Sequence, residues 1–143
     1  MVSKLVAAWL VMAFCVMVHA AGVTFALRWI RGHRTFSHRF RPWTWLFVRL
    51  AGWIVLLHLI EIGGWAVLYV VAGAMADVQS AVYFSAVTYT TTGYGDLLLP
   101  SSWRLVGAVE ALTGILMCGW STGFFFAIVS RLLHEGDERG ALT

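Results

Sequence analysis

Long apolar runs separated by short polar breaks set the layout of this chain. From Leu5 to Leu27 the only titratable groups are His19 and a cysteine, and a run of that length can cross ~30 Å of hydrocarbon as a helix. Leu46 to about Met75 forms a second run, interrupted by Arg49, His58 and Glu61, and Leu105 to Leu133 a third, interrupted by Glu110 and Arg131. Between the second and third, a short outer loop carries Asp77 and ends at Gln79. Ser80 to Thr90 (SAVYFSAVTYT) is then too short to cross and predicts a re-entrant half-helix. The stretch TTTGYGD follows at 90–96, and Pro100, Ser101 and Ser102 mark the start of the third long helix. An alternative for the first run is a secretory signal, with Lys4, an apolar core and Val18-His19-Ala20 as a cleavage site. The run stays apolar past Ala20, so the membrane helix is the reading kept.

Composition points the same way. The 143 residues are 60% apolar and 12% charged, with eight Trp, which is a membrane composition. The net charge of +3 is unevenly spread, since Arg28, Arg31, Arg34, Arg39, Arg41 and Arg49 follow the first run and only Lys4 precedes it. Beside membrane spans such a cluster reads as a topology signal, not a nucleic-acid site. It places the basic loop in the cytoplasm, the N-terminus outside and the C-terminus inside. Arg28, Arg31 and Arg34 have the every-third spacing of a voltage-sensing helix. They sit at the end of a span, with Gly32, His33 and Pro42 close by, so an anchor loop touching anionic lipid is expected. Trp29, Trp43 and Trp45 fit an aromatic belt at that interface. Cys15 and Cys118 fall inside apolar runs and read as packed thiols.

Thr90-Thr91-Thr92-Gly93-Tyr94-Gly95-Asp96 carries the most specific chemistry. A strand that aims successive carbonyls one way needs left-handed φ at alternate positions, and Gly93 and Gly95 adopt it without steric cost. The Thr92 and Tyr94 side chains are expected to point backwards and brace the strand. The seven residues resemble the selectivity-filter signature of potassium channels. The region from about Val48 to Arg131 resembles the two-helix pore module of that family, with an added N-terminal span as in three-span bacterial members. The resemblance implies K⁺ sites on Thr91, Thr92, Gly93 and Tyr94, with Gly95 completing the filter, and four subunits around one pore. It also places Gly114 at the inner-helix hinge, with Gly119 five residues on. Close helix packing is the alternative for both. Ile115, Gly119, Thr122 and Phe126 share a helical stripe that could face the cavity, core packing being the alternative.

Departures from the family pattern concern support of the filter. A glutamate found behind the filter in many members is Val87 here, paired tryptophans are Tyr83 and Phe84, and Thr92 stands where Val or Ile is usual. Tyr83 can donate a hydrogen bond to Asp96; Phe84 cannot donate. His19, His58, Glu61 and Glu110 lie within spans, where an unpaired charge costs ~2.5–3.5 kcal/mol or more, so each needs a partner or stays neutral. Glu110 shares a stripe with Gly114, Met117 and Ser121, away from the cavity stripe. It is expected to brace the pore helix through Thr88, Thr90 or the His58/Glu61 pair. Metal binding by His58, Glu61 and Glu110, or haem binding by His19 and His58, are sharper alternatives.

The expectation is an all-α membrane protein with three transmembrane helices and one re-entrant pore helix with its filter loop per subunit, assembled as a homotetramer. Residues 1–45 would form the first span and basic loop, 46–133 the pore module and 134–143 a short cytoplasmic tail. Its expected function is passive K⁺ conduction across a bacterial inner membrane, with K⁺ the transported ion and no organic cofactor. The alternatives are a weakly selective cation channel and a non-conducting scaffold or accessory subunit. Expected partners are other copies of the chain, membrane lipid at the Arg28–Arg49 loop and a separate regulatory subunit, with no nucleic acid. No nucleophile–base constellation supports an enzyme.

Overall fold

The apolar runs fold as helices. In this computed structural model, which describes residues 1–32 and 40–140, α1 spans Val2–Gly32, α2 Phe40–Val71, α3 Val78–Tyr89 and α4 Arg104–Gly140. A 3-10 turn, Ser101–Trp103, leads into α4. No strand occurs among the described residues. Val2–Gly32, Thr44–Val71 and Ser101–Arg131 are each long and apolar enough to cross a membrane. At 12 residues α3 reaches only about 18 Å and cannot. The protein is therefore an all-α membrane protein with three candidate spans and one short inserted helix.

Boundaries differ from the sequence reading for local reasons. α2 begins at Phe40 and so takes in Pro42, tolerated there because first-turn N–H groups have no intrahelical partner. It ends at Val71, short of Met75. Gly73 (φ 66°) takes the left-handed conformation while its N–H bonds Val70 O and the Ala74 N–H bonds Tyr69 O at 2.8 Å, which closes the helix. α3 starts two residues earlier than Ser80, because Asp77 caps it by accepting from the Ser80 N–H at 2.8 Å. That bond holds the Asp77 carboxyl below its usual pKa range. α4 continues as helix to Gly140, past the end of the third candidate span at Arg131, so the segment expected as a tail from His134 is helical as far as Gly140. Arg34 and Arg39 lie outside the described residues, as do residues 141–143.

α3 packs between α2 and α4, and α1 lies against α2 and α4. The core at the α3 level is aromatic: Trp65, Tyr69 and Tyr89 are buried, and Tyr69 meets Phe84 and Trp103 edge-on. α1 runs unbroken through Val18–Ala20 with His19 buried. Lys4 donates to Ser102 Oγ at 2.8 Å and lies 4.5 Å from the Trp103 ring, which puts the start of α1 beside the start of α4. At the other end Arg49 stacks on Trp29.

One approach is tighter than the rest. A Cβ on Gly114 would lie 1.9 Å from the Tyr89 carbonyl oxygen, so α4 touches the end of α3 through bare backbone. Gly119 has nothing within 4 Å of its Cβ position. Gly114→Ala is accordingly expected to destabilise the protein by about 1–3 kcal/mol, through forced displacement of α3. Gly119→Ala should be neutral or gain up to about 1 kcal/mol from helix propensity. Thermal unfolding of the two variants side by side checks both signs.

Candidate functional site

The segment after α3 is built from the end of that helix. Thr90 is its C-cap, and Thr91 follows in the left-handed region at φ 59°. The Thr91 N–H bonds Thr88 O at 2.9 Å, and the Thr92 N–H bonds Val87 O at 3.0 Å, the same closure that ends α2 at Gly73. Here, however, a β-branched residue occupies the position that favours glycine, a conformation costing about 1–3 kcal/mol. Gly93 (φ 55°) and Gly95 (φ 77°) continue the alternation, so positions 91, 93 and 95 are all left-handed. The glycines met the expectation; the conformation of Thr91 was not anticipated, because its composition argues against it.

Side chains tie this segment back to α3. The Thr90 hydroxyl donates to Ala86 O at 2.7 Å and takes the Thr92 hydroxyl at 3.0 Å, so Thr92 braces the segment as expected. Tyr83 donates to Asp96 at 2.7 Å, pinning the far end of the segment to α3. Thr88 and Val87 line a cleft of about 170 Å³ between α3 and residues 93–98. Tyr94 is 71% exposed, so any brace for its ring must come from outside this chain. Ile115, Gly119, Thr122 and Phe126 are likewise exposed, while Glu110, Gly114, Met117 and Ser121 are buried. The two stripes of α4 thus face opposite ways.

Glu110 does not reach Thr88, Thr90 or the His58/Glu61 pair. Its Oε2 accepts from the Tyr69 hydroxyl at 2.7 Å, because its stripe faces α2 at the level of Tyr69. The carboxyl also lies beside the Ser85 hydroxyl of α3, although neither Oε1 nor Ser85 Oγ has a partner in hydrogen-bond geometry. Glu110 therefore joins α4 to α2 and borders α3 from a different level. His58 and Glu61 belong to a second cluster. Glu61 accepts from Tyr89, its Oε1 lies 2.9 Å from His19 Nδ1, and His58 Nδ1 lies 3.3 Å from its Oε2. Ser121 Oγ stands 3.0 Å from His19 Nε2 and 3.1 Å from His58 Nε2.

His19, His58 and Glu61 are near enough to share an ion, and Glu110 is not in that group. The metal set of His58, Glu61 and Glu110 considered from sequence is thus not assembled. Cys15 is buried, Cys118 exposed, and both are free thiols. Sequence reasoning missed Tyr69, Tyr89 and Ser121 as partners. Ser121 lay on the Glu110 stripe, which was the available signal.

Residues 44–131 match the model of the ion channel family, in its two-helix pore form. This chain belongs to the ion channel family. The matched span opens at Thr44, holds α3 and residues 90–96 and closes at Arg131, which leaves α1 outside it. No curated protein and no solved structure matches the chain significantly.

The bond from Tyr83 to Asp96 raises the Tyr83 pKa above the ordinary phenol range. Because the folded-state value is the higher, the contribution of this bond is complete below the unfolded-state pKa and is lost as pH rises through the folded one. In an alkaline absorbance titration, Asp96→Asn should move one tyrosine down into the ordinary range. An unchanged curve would contradict the bond.

Proposed function

We propose that four copies of this channel-family chain surround one axis and conduct K⁺ passively. Their 90–96 segments would form the selectivity filter. The observation that carries this reading is the alternation of left-handed residues at Thr91, Gly93 and Gly95, directly after a short helix held between two candidate spans. That backbone is how carbonyl dipoles come to line one path and replace the water around a cation. The exposure of Tyr94 and of the Ile115–Phe126 stripe supports an assembly in which neighbouring copies cover the first and a central cavity the second. Thr91 supports it too: a strained threonine kept where glycine is easier is accounted for by a hydroxyl that faces the ion.

In this reading Thr91, Thr92, Gly93 and Tyr94 hold K⁺ as cargo, and Tyr83, Thr88 and Asp96 steady the filter from behind. α4 runs as one helix through Gly114 and Gly119; the contact of Gly114 with Tyr89 favours close packing over a hinge there. Lys4 beside Ser102 brings the start of α1 to the start of α4, which supports a reading with the N-terminus on the outer side with the filter exit. Arg28 to Arg49 would then meet anionic lipid at the cytoplasmic face of a bacterial inner membrane. Membership of the channel family points away from an enzyme.

Reconstitution into liposomes tests the reading. K⁺ flux that exceeds Na⁺ flux, from an oligomer that native mass spectrometry weighs as four chains, is the expected result. Equal K⁺ and Na⁺ flux would mark a weakly selective cation channel, and no flux a scaffold. Thr91→Gly should hold or raise thermal stability, since it relieves about 1–2 kcal/mol of left-handed strain, yet lower K⁺ flux. Parallel loss of both would make Thr91 structural only.

A further inference from the structure

The cluster around Glu61 closes on itself. Passing from Glu61 Oε1 to His19 Nδ1 (2.9 Å), His19 Nε2 to Ser121 Oγ (3.0 Å), Ser121 Oγ to His58 Nε2 (3.1 Å) and His58 Nδ1 to Tyr89 Oη (3.1 Å), the path returns through the Tyr89 hydroxyl to Glu61 Oε2. Each member has two contact atoms or one hydroxyl, and every one of them is used. His58 Nδ1 also lies 3.3 Å from Glu61 Oε2, so once Tyr89 donates to Glu61 a proton on Nδ1 is shared between the phenol and the carboxylate oxygen. Ser121, with one proton and one oxygen, can donate to one of the two histidine Nε2 atoms and accept from the other. The last link, His19 Nδ1 to Glu61 Oε1, is a 2.9 Å contact between imidazole and carboxylate.

Such closure answers the membrane cost of these groups. His19, Glu61 and Ser121 are all but fully buried, and a net charge at that depth is expensive. The ring also takes one or more members from each of α1, α2, α3 and α4. Its α3 member, Tyr89, is the last residue of the helix, so the left-handed turn at Thr91 begins two residues on. Tyr89 is thereby held at both ends, its hydroxyl by the ring and its carbonyl against Gly114.

We propose that His19 of α1 is a positioning residue for the filter. It acts through Glu61 and Tyr89, so that conduction depends on the ring being closed. α1 lies outside the matched channel module, and the ring gives it a function there that the module alone does not supply. The inference rests on the conduction reading above. A metal ion held by His19, His58 and Glu61 would compete with the ring for the same nitrogens and carboxylate oxygens.

The test uses the full-length protein in liposomes and in detergent, with His19→Leu, Tyr89→Phe and their double variant. Opening one link strands a buried donor or acceptor, and each single variant should lower K⁺ flux roughly tenfold. The double variant should fall no further, since a ring already open has nothing more to lose. Independent packing contributions would instead multiply to roughly a hundredfold loss, and that result overturns the proposal. Ser121→Ala with Tyr89→Phe repeats the cycle with smaller changes should His19→Leu fail to assemble; Ser121→Thr should restore flux where Ser121→Ala does not. Normal flux in variants that merely melt earlier, or stoichiometric transition metal in the purified protein, would also overturn it. Absence of K⁺ flux from the unsubstituted protein would sink the conduction reading and with it the role of His19 in conduction. Closure of the ring would still be judged by whether the melting losses add.

Discussion

Backbone that is neither helix nor barrel has no water to satisfy it at membrane depth, and everything around residues 90–96 answers to that constraint. The first N–H groups of the segment are absorbed by the free carbonyls at the end of α3, with Thr91 and Thr92 bonding Thr88 and Val87. A helix end and an irregular strand thus cancel each other's unpaired groups. The short helix is needed for this, and it in turn has to be held between two longer ones.

What holds it is partly shape and partly polarity. Gly114 lets α4 approach the Tyr89 carbonyl more closely than any side chain would permit. Around that contact stand two separate buried polar groups, Glu110 with Tyr69 and the ring through Glu61. Buried carboxylates behind the short helix are costly unless each proton has a place. One carboxylate serves α2 and α4 through a tyrosine, and the other gathers all four helices.

Thr91 shows where stability and the proposed activity pull apart. Closure of a helix by a left-handed residue is ordinary when that residue is Gly73 and strained when it is Thr91. The hydrogen bonds are the same in both places, so they do not explain the choice of residue. In the proposed function a hydroxyl at the head of the segment does.

Much of this was legible from residue order. Length and apolarity alone mark three spans, the 12-residue insert between them is too short to be a fourth, and the glycines at 93 and 95 declare their backbone conformation because no other residue adopts it so cheaply. Helical phase separates the stripe of Glu110 from that of Ile115. Phase, however, says which way a side chain faces and not which neighbour stands there, so Tyr69 as the partner of Glu110 emerged only from the packing. The meeting of His19 with Glu61 and of Ser121 with His58 is a matter of helix rotation and depth, which period and composition leave free. The left-handed Thr91 belongs to the same class, since the carbonyls of α3 impose it against the preference of the residue itself.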